Sequence, residues 1–193
     1  MKETGKKALT VLMALCMALT LMPQLAPNAA AAGGSLRTEA LDLTVLDTDT
    51  VNTAEGWAWY AAASGDYSAK TLVLDGLNLQ ASDYYFGGLV LPGDSTIVLA
   101  EDSVNTVSYN YAASYGFYAA YGVFCNGSLT IQGDGAISVF STTSSSIFNA
   151  GIYTASGNLT IESGTVTATA LYGSNCYGLY SNAGVVISDG AVT

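Results

Sequence analysis

The sequence predicts an all-β protein folded as a parallel β-helix, a solenoid in which each coil contains three short strands. Three observations indicate this fold. Aliphatic segments with alternating residues recur five times, a turn containing Gly, Asp or Ser follows each segment, and a further strand recurs directly behind a glycine. Recurrence at roughly thirty residues is typical of solenoids, whose repeats bury their apolar faces only by stacking.

The chain begins with a pattern typical of a secretory signal peptide, which we assign to residues 1–32. A basic segment precedes an apolar run over residues 8–21, and two prolines then lead to small residues that end at Ala32. A membrane anchor is disfavoured because the run is shorter than the roughly 20 residues that a spanning helix needs. The mature protein is therefore expected to be secreted.

The charge of the chain excludes several classes of partner. Its formal net charge is -10, it has no histidine, and Arg37 and Lys70 are its only cations beyond the signal peptide. Nucleic acids and anionic lipids need clustered Lys and Arg. We therefore expect no nucleic acid partner and no membrane insertion after cleavage, and a chain that acts as a monomer.

The first strand of each coil is the most regular part of the repeat. Aliphatic residues alternate within it, which places them on one face of a strand. The five segments are 71–75, 96–100, 129–132, 159–162 and 185–188. They align on their last aliphatic residues, Leu74, Leu99, Ile131, Ile161 and Ile187.

Two further strands complete each coil. The second strands are predicted at 77–79, 104–106, 137–139, 166–168 and Val192. The third strands are predicted at 88–91, 122–125, 151–154 and 178–181. An antiparallel sandwich is the alternative, because short strands separated by turns fit it too. Matching positions that recur once per coil favour the solenoid.

The domain organisation follows from the first complete repeat. Residues 33–70 are predicted to form an N-terminal cap, with a strand at 41–46 and with Trp57 and Trp59 in the cap core. Residues 71–193 form the coils. The chain stops at Thr193 within the second strand of a coil, so we expect a truncated solenoid whose missing region attaches it to the cell surface.

Two cysteines, Cys125 and Cys176, lie in the predicted coils. The repeat places them two coils apart, which is about 9.6 Å and exceeds the roughly 7 Å limit between the Cα atoms of a disulfide. We therefore expect no disulfide between them. Cys125 shares a face with core residues and is interpreted as a small buried hydrophobic residue.

An aromatic row on the third strands is the candidate carbohydrate-binding feature. Val90, Phe124, Tyr153 and Tyr180 follow the core-facing aliphatic residues and should point outwards. Phe124, Tyr153 and Tyr180 could stack on the apolar faces of sugar rings. The alternative is cross-strand packing that only stabilises the sheet.

An acidic residue follows the first strand in every coil. Carboxylate oxygens suit Ca²⁺, the single cofactor that the sequence suggests. The candidate ligands are Asp102, Asp134, Glu162 and Asp189, and Asp75 occupies the matching turn of the first coil. The alternative is that these acids are solvated turn residues.

The sequence predicts no catalytic residue. It contains no histidine for acid–base chemistry, and its two cations beyond the signal peptide, Arg37 and Lys70, fall in the predicted cap. A glycosidase that uses two carboxylates stays open because acids are plentiful, although no pair stands out. The chain is therefore not expected to be an enzyme.

These motifs resemble those of secreted bacterial proteins with a β-helical carbohydrate-binding domain. The resemblance rests on the run from Trp57 to Leu79, on 88–91 and 95–107, and on the later Gly-aliphatic-aromatic and Leu-Thr-Ile strands. It covers about residues 36–193. It implies a right-handed β-helix similar to pectate lyases, binding of plant cell-wall or acidic polysaccharide without strong catalysis, often Ca²⁺, and cell-wall-anchoring modules.

Three functions therefore compete at this point. The first is an extracellular, non-catalytic module that binds cell-wall polysaccharide. The second is a polysaccharide lyase or hydrolase with a pectate-lyase-like fold. The third is a structural stalk or adhesin at the cell surface.

Overall fold

The computed structural model describes residues 33–82, 87–111, 119–143 and 148–193. The predicted signal peptide lies outside the described residues. No helix that is long and apolar enough to cross a membrane occurs in these ranges. Within them the chain forms short strands joined by turns.

The strands, in chain order, are β1 Leu36–Arg37, β2 Leu41–Asp42, β3 Thr50–Asn52, β4 Trp57–Tyr60, β5 Thr71–Leu74, β6 Asn78–Ala81, β7 Gly87–Leu91, β8 Ser95–Leu99, β9 Val104–Tyr111, β10 Ala119–Cys125, β11 Leu129–Gly133, β12 Ala136–Thr143, β13 Phe148–Thr154, β14 Leu159–Ile161, β15 Thr165–Leu171, β16 Asn175–Ser181, β17 Val185–Ile187 and β18 Ala191–Val192. Each coil uses three of them in succession, starting with β5, β6 and β7.

Three sheets run along the solenoid, one for each strand of the coil. Sheet 1 has the order β17-β14-β11-β8-β5-β4-β3, sheet 2 the order β1-β6-β9-β12-β15-β18, and sheet 3 the order β16-β13-β10-β7-β2. All strands of sheets 2 and 3 pair in parallel, as do the repeated strands of sheet 1. The parallel β-solenoid with about four turns is confirmed, and the antiparallel sandwich is excluded.

The core lies between the three sheets. Inward aliphatic side chains alternate with outward residues along the first strands of the four coils, β5, β8, β11 and β14, so the period-two pattern is confirmed there. The last predicted inward pair is wrong, because Val185 and Ile187 on β17 are 42% and 50% exposed. Fully buried examples are Leu72, Leu74, Ile97, Leu129, Ile131, Leu159 and Ile161 on sheet 1 and Leu89, Val123 and Ile152 on sheet 3. Each fully buried Leu or Ile side chain stabilises the fold by roughly 1.5–3 kcal/mol relative to exposure.

One part of the predicted register is wrong. The alignment on the last aliphatic residue matched Leu99 with Ile131, but Ile131 pairs with Ile97, and Gly133 pairs with Leu99. The cause is a difference in turn length. The turn between β8 and β9 is longer than the turn between β11 and β12, and the two coils are paired again at Val104 and Ala136. A shift of two positions keeps every side chain on its face, so the core assignment is unaffected.

The second strands are longer than predicted. Those of the second, third and fourth coils were expected to hold three residues each, whereas β9 and β12 hold eight and β15 holds seven. The alternation continues past the predicted end of β9, because Val107, Tyr109 and Tyr111 are all buried. In the fourth coil this extension brings sheet 2 close to the start of sheet 3, because β15 ends at Leu171 and β16 begins at Asn175.

The N-terminal region closes the solenoid with strands of both orientations. β1 and β2 pair in parallel with β6 and β7, whereas β3 and β4 form an antiparallel hairpin on β5. Trp57 and Trp59 lie on β4 of this hairpin, and both are buried, as predicted. The Trp59 indole donates a hydrogen bond to the Leu46 carbonyl at 3.2 Å, which ties the preceding loop to the hairpin.

The strand expected over 41–46 ends early, at Asp42. The Asp42 Oδ1 atom accepts hydrogen bonds from the Thr44 backbone N–H at 2.9 Å and from the Thr44 hydroxyl at 2.6 Å. An aspartate that binds the backbone two residues ahead turns the chain. Leu43 is nevertheless buried, so the segment contributes to the core without being a strand.

Both described cysteines are free. Cys125 is buried, as predicted, with its Sγ atom 3.2 Å from the Pro92 carbonyl oxygen, and burial raises the pKa of its thiol. Cys125 pairs with Thr154 in the next coil, and Thr154 pairs with Ser181 in the coil after that. Cys176 is exposed and lies at the other end of the same strand as Ser181.

A buried amide links three successive coils. The Asn105 Oδ1 atom accepts hydrogen bonds from the backbone N–H groups of Gly76 and Leu77, both at 2.9 Å. Its Nδ2 atom donates to the Ser103 hydroxyl at 2.9 Å and to the Ala136 carbonyl at 3.0 Å. Asn105 is fully buried, and these bonds satisfy turn groups that would otherwise lack partners.

Glycines stack where sheet 3 approaches sheet 2. A Cβ atom on Gly151 would lie 2.7 Å from the Gly178 carbonyl oxygen and 3.1 Å from the Thr169 backbone nitrogen. Both contacts are with backbone, which cannot move aside without shifting a strand. The recurring glycine is therefore required by the close approach of the two sheets.

We predict that Gly151→Ala lowers the free energy of unfolding by about 1–3 kcal/mol, because it overpacks this approach. The matched control is Gly184→Ala, since a Cβ atom there meets only the Asn158 Oδ1 atom, at 3.4 Å. The control should change stability by less than about 0.5 kcal/mol. Denaturant unfolding of both variants measures the difference, and equal effects would contradict the packing argument.

Candidate functional site

The aromatic row predicted on the third strands is in register across the coils. Val90 pairs with Phe124, Phe124 with Tyr153, and Tyr153 with Tyr180. The residues before them, such as Val123 and Ile152, are fully buried in the core. The rings therefore occupy the outer face of sheet 3, although Val90 itself is covered and only 8% exposed.

Three further rings join this row, and the sequence analysis missed them. Tyr121, Phe148 and Tyr177 pack against it, with ring centroids 4.5 Å apart for Tyr121 and Tyr153 and 5.0 Å apart for Phe148 and Tyr180. A signal for two of them was present, because Tyr121 and Tyr177 directly precede the recurring glycine. We call the six residues Tyr121, Phe124, Phe148, Tyr153, Tyr177 and Tyr180 the aromatic surface.

The rings of the row stack on one another. The ring planes of Phe124 and Tyr153 differ by 23° at a centroid distance of 5.8 Å, and those of Tyr153 and Tyr180 by 14° at 5.7 Å. Nearly parallel rings at these distances are offset-stacked, so each covers part of its neighbour's face. Cross-strand packing is therefore a real role of this row, whatever else it does.

Exposure differs within the aromatic surface. Tyr121 is 8% exposed, whereas Tyr177 is 39% exposed and is the most accessible of the six rings. The Tyr177 centroid lies 4.9 Å from that of Tyr180, and the two ring planes are tilted by 55°. Tyr177 is thus the ring of this surface with the largest exposed fraction, and it packs on Phe148 and Tyr180.

One hydroxyl of the surface is held in place. The Asn182 Nδ2 atom donates hydrogen bonds to the Tyr153 hydroxyl at 2.9 Å and to the Ala155 carbonyl at 2.8 Å. The Tyr153 oxygen is therefore fixed as an acceptor while its proton stays available to a partner. The surface combines apolar rings with an oriented polar group.

The predicted acidic row lies on turns at the surface. Asp102, Asp134, Glu162 and Asp189 are all exposed. Among the residues that the structure describes, no three Asp, Glu, Cys or His side chains come together as a metal site. Ca²⁺ needs six to eight oxygen ligands, so calcium at these four acids stays a prediction without a cluster to support it.

Both cations outside the signal peptide make structural contacts near the cap. The Arg37 guanidinium forms a 3.0 Å ion pair with Glu55. Hydrogen bonds from the Trp57 indole and from Arg37 hold the pKa of Glu55 below its usual value. The Lys70 ammonium donates a 2.8 Å hydrogen bond to the Gly93 carbonyl.

A groove on the outer face of sheet 2 is the second surface feature. It has a volume of about 590 Å³ and is lined by Asn110, Phe140, Thr142, Thr143, Leu171 and Tyr172. Asn110, Thr142 and Leu171 pair with one another across β9, β12 and β15. The sequence analysis missed this groove because its residue types do not recur from coil to coil.

The chain matches one family. The model of a family described as "Carbohydrate-binding domain-containing protein" matches residues 58–193, which include the aromatic surface and the groove. No curated protein and no solved structure matches the chain.

Tyr121 provides a test of how tightly the aromatic surface is packed. Burial, with the nearby Tyr153 hydroxyl, raises the pKa of Tyr121 from the ordinary value of 10 to about 12. The folded state thus favours the neutral phenol, so Tyr121 supports stability below pH 10 and loses this contribution as the pH rises to 12. We predict that Tyr121→Phe removes the most alkaline step from a phenolate absorbance titration.

The titration should follow rapid pH jumps, so that absorbance is read before the chain unfolds. Tyr67→Phe is the control, because its phenol lies in the cap, where burial also raises its pKa. Loss of the same step in both variants, or in neither, would contradict the packing inferred for Tyr121.

Proposed function

Because the chain belongs to the family of carbohydrate-binding domain-containing proteins, we propose that it binds polysaccharide outside the cell without cleaving it. The binding site is the aromatic surface on sheet 3. The observation that carries this proposal is the contiguity of six aromatic side chains from three successive coils on the outside of one sheet.

The aromatic surface suits a sugar chain for chemical reasons. One face of a pyranose ring presents C–H groups, which pack on aromatic rings, and its rim presents hydroxyls. Tyr177 supplies the accessible ring face, and the hydroxyls of Tyr153 and Tyr180 supply polar contacts beside it. Since neighbouring rings already pack together, the surface loses little conformational entropy when a ligand binds.

The absence of cleavage is supported by the placement of the cations. Elimination reactions on acidic sugars need a base and a group that neutralises the substrate carboxylate. Arg37 is paired with Glu55, and the Lys70 ammonium is bound to the Gly93 carbonyl. The chain has no histidine to replace them.

The extracellular location is supported by the predicted signal peptide over residues 1–32. A surface with few cations and many acids also suits a soluble protein outside the cell. Attachment to the cell surface stays part of the proposal.

We predict that Tyr177→Ala weakens retention on insoluble polysaccharide by about tenfold, which corresponds to about 1.4 kcal/mol for a lost stacking contact. Pull-down on cellulose and on pectin, with and without Ca²⁺, provides the measurement. Tyr177 is partly exposed at the surface, so its replacement should leave the fold intact.

The matched control is Tyr67→Ala. Tyr67 stacks on Tyr60 at a centroid distance of 4.7 Å, so it loses a comparable ring contact, but in the cap. The control should bind like the wild type. Failure of the wild type to bind either polysaccharide under any condition would overturn the proposed function, and equal losses in the two variants would overturn the assigned site.

A further inference from the structure

The groove on sheet 2 has the composition of a sugar-binding site. Its volume of about 590 Å³ falls within the range of roughly 300–1,000 Å³ that is usual for small-ligand sites. Phe140 and Leu171 are 37% and 39% exposed, so apolar surface is open to a ligand. Polar side chains of Asn110 and Thr142 lie beside this apolar surface.

The polar pair in the groove is arranged to meet hydroxyl groups. The Thr142 hydroxyl donates a 3.0 Å hydrogen bond to the Asn110 Oδ1 atom. This bond fixes both side chains and leaves the Asn110 amide group as a donor and the Thr142 oxygen as an acceptor. Adjacent sugar hydroxyls, each both donor and acceptor, complement such a pair.

Tyr172 stands beside the groove in an unfavourable backbone conformation. Its φ angle is 65°, in the left-handed region that favours glycine, and its side chain is 77% exposed. Strained positions of this kind are concentrated at ligand-binding sites.

The groove is suited to uncharged ligands. Among the residues that the structure describes, none of those lining the groove carries a charge. The chain has a net charge of -10, and its two cations outside the signal peptide make contacts near the cap. A polymer of uronic acids would therefore be repelled, whereas neutral pyranosides meet no electrostatic cost.

The groove and the aromatic surface flank the same corner of the fourth coil. β15 ends at Leu171, and β16 begins at Asn175. Tyr172 and Tyr177 are five positions apart in the chain, so their Cα atoms lie at most about 18 Å from each other. One extended ligand can therefore contact both features.

We infer that the groove is a second saccharide-binding site, specific for neutral pyranose units, in which Tyr172 stacks on the sugar and Asn110 and Thr142 bind its hydroxyls. This inference rests on the proposed function and narrows its ligand to neutral polysaccharide. The family resemblance implied plant cell-wall or acidic polysaccharide, and this inference keeps only the neutral part of that range.

The key variant is Tyr172→Gly. Glycine removes the ring but relieves the backbone strain at the positive φ angle, so the thermal midpoint should stay unchanged or rise. Affinity for a soluble neutral polysaccharide, hydroxyethyl cellulose, should fall about tenfold in affinity electrophoresis. A purely structural role for Tyr172 would instead lower the thermal midpoint and leave affinity unchanged.

A second variant tests the polar pair. Asn110→Ala should also weaken binding to hydroxyethyl cellulose, by severalfold. Its matched control is Thr106→Ala. Thr106 lies on the same strand and is partly exposed, and this variant should bind like the wild type. Equal losses in Asn110→Ala and Thr106→Ala would overturn the role assigned to the pair.

The outcomes separate this inference from the proposed function. If Tyr177→Ala loses binding and Tyr172→Gly does not, the aromatic surface binds sugar and the second site is refuted. If the wild type binds polygalacturonate more tightly than hydroxyethyl cellulose without Ca²⁺, the neutral specificity is refuted. If the wild type binds neither polymer nor any insoluble polysaccharide, the proposed function fails as well.

Discussion

Parallel stacking of the coils is the constraint on which the rest of the structure depends. Adjacent strands lie about 4.8 Å apart, and their backbone hydrogen bonds leave one register in which the aliphatic residues stay inside. Asn105 reinforces this register, because its buried amide binds backbone groups of the coils on either side. Once the register is set, residues at equivalent positions of every coil must form rows along the solenoid.

The rows inside and outside the sheets have different consequences. Inside, leucine and isoleucine rows fill the core, and the stacked glycines allow sheet 3 to approach sheet 2. Outside sheet 3, rings from successive coils are brought to centroid distances of 4.5–6.0 Å, where they stack or meet edge to face. The same contacts that stabilise the sheet thus build the surface that we propose for sugar binding, so stability and binding are coupled there.

Much of the fold was predictable because it depends on local alternation and on a recurring glycine. These two patterns identify the strands, the buried faces and the aromatic row. The register between β8 and β11 was not predictable from alternation, since a shift of two residues preserves every face and only the turn lengths distinguish the alternatives. The early end of β2 depends on a side-chain hydrogen bond of Asp42, for which periodicity carries no signal.

The candidate sites, too, were predictable from the sequence only in part. Phe124, Tyr153 and Tyr180 could be found because they repeat at one position of the coil. Phe148 could not, because the residues that pair with it, Ala119 and Asn175, are not aromatic. The groove is harder still, because Asn110, Thr142 and Leu171 are chemically unlike and come from three coils. Only the register of sheet 2 brings them together.

The central claim is that saccharide lies on the outer faces of sheets 2 and 3, at the corner marked by Tyr172 and Tyr177. The most direct measurement is a map of backbone amide chemical shifts during titration with a neutral oligosaccharide such as cellohexaose. The shifts should cluster around Tyr172, Tyr177 and Asn110. Shifts confined to the acidic turns around Asp102 and Asp134, or to the cap, would contradict it.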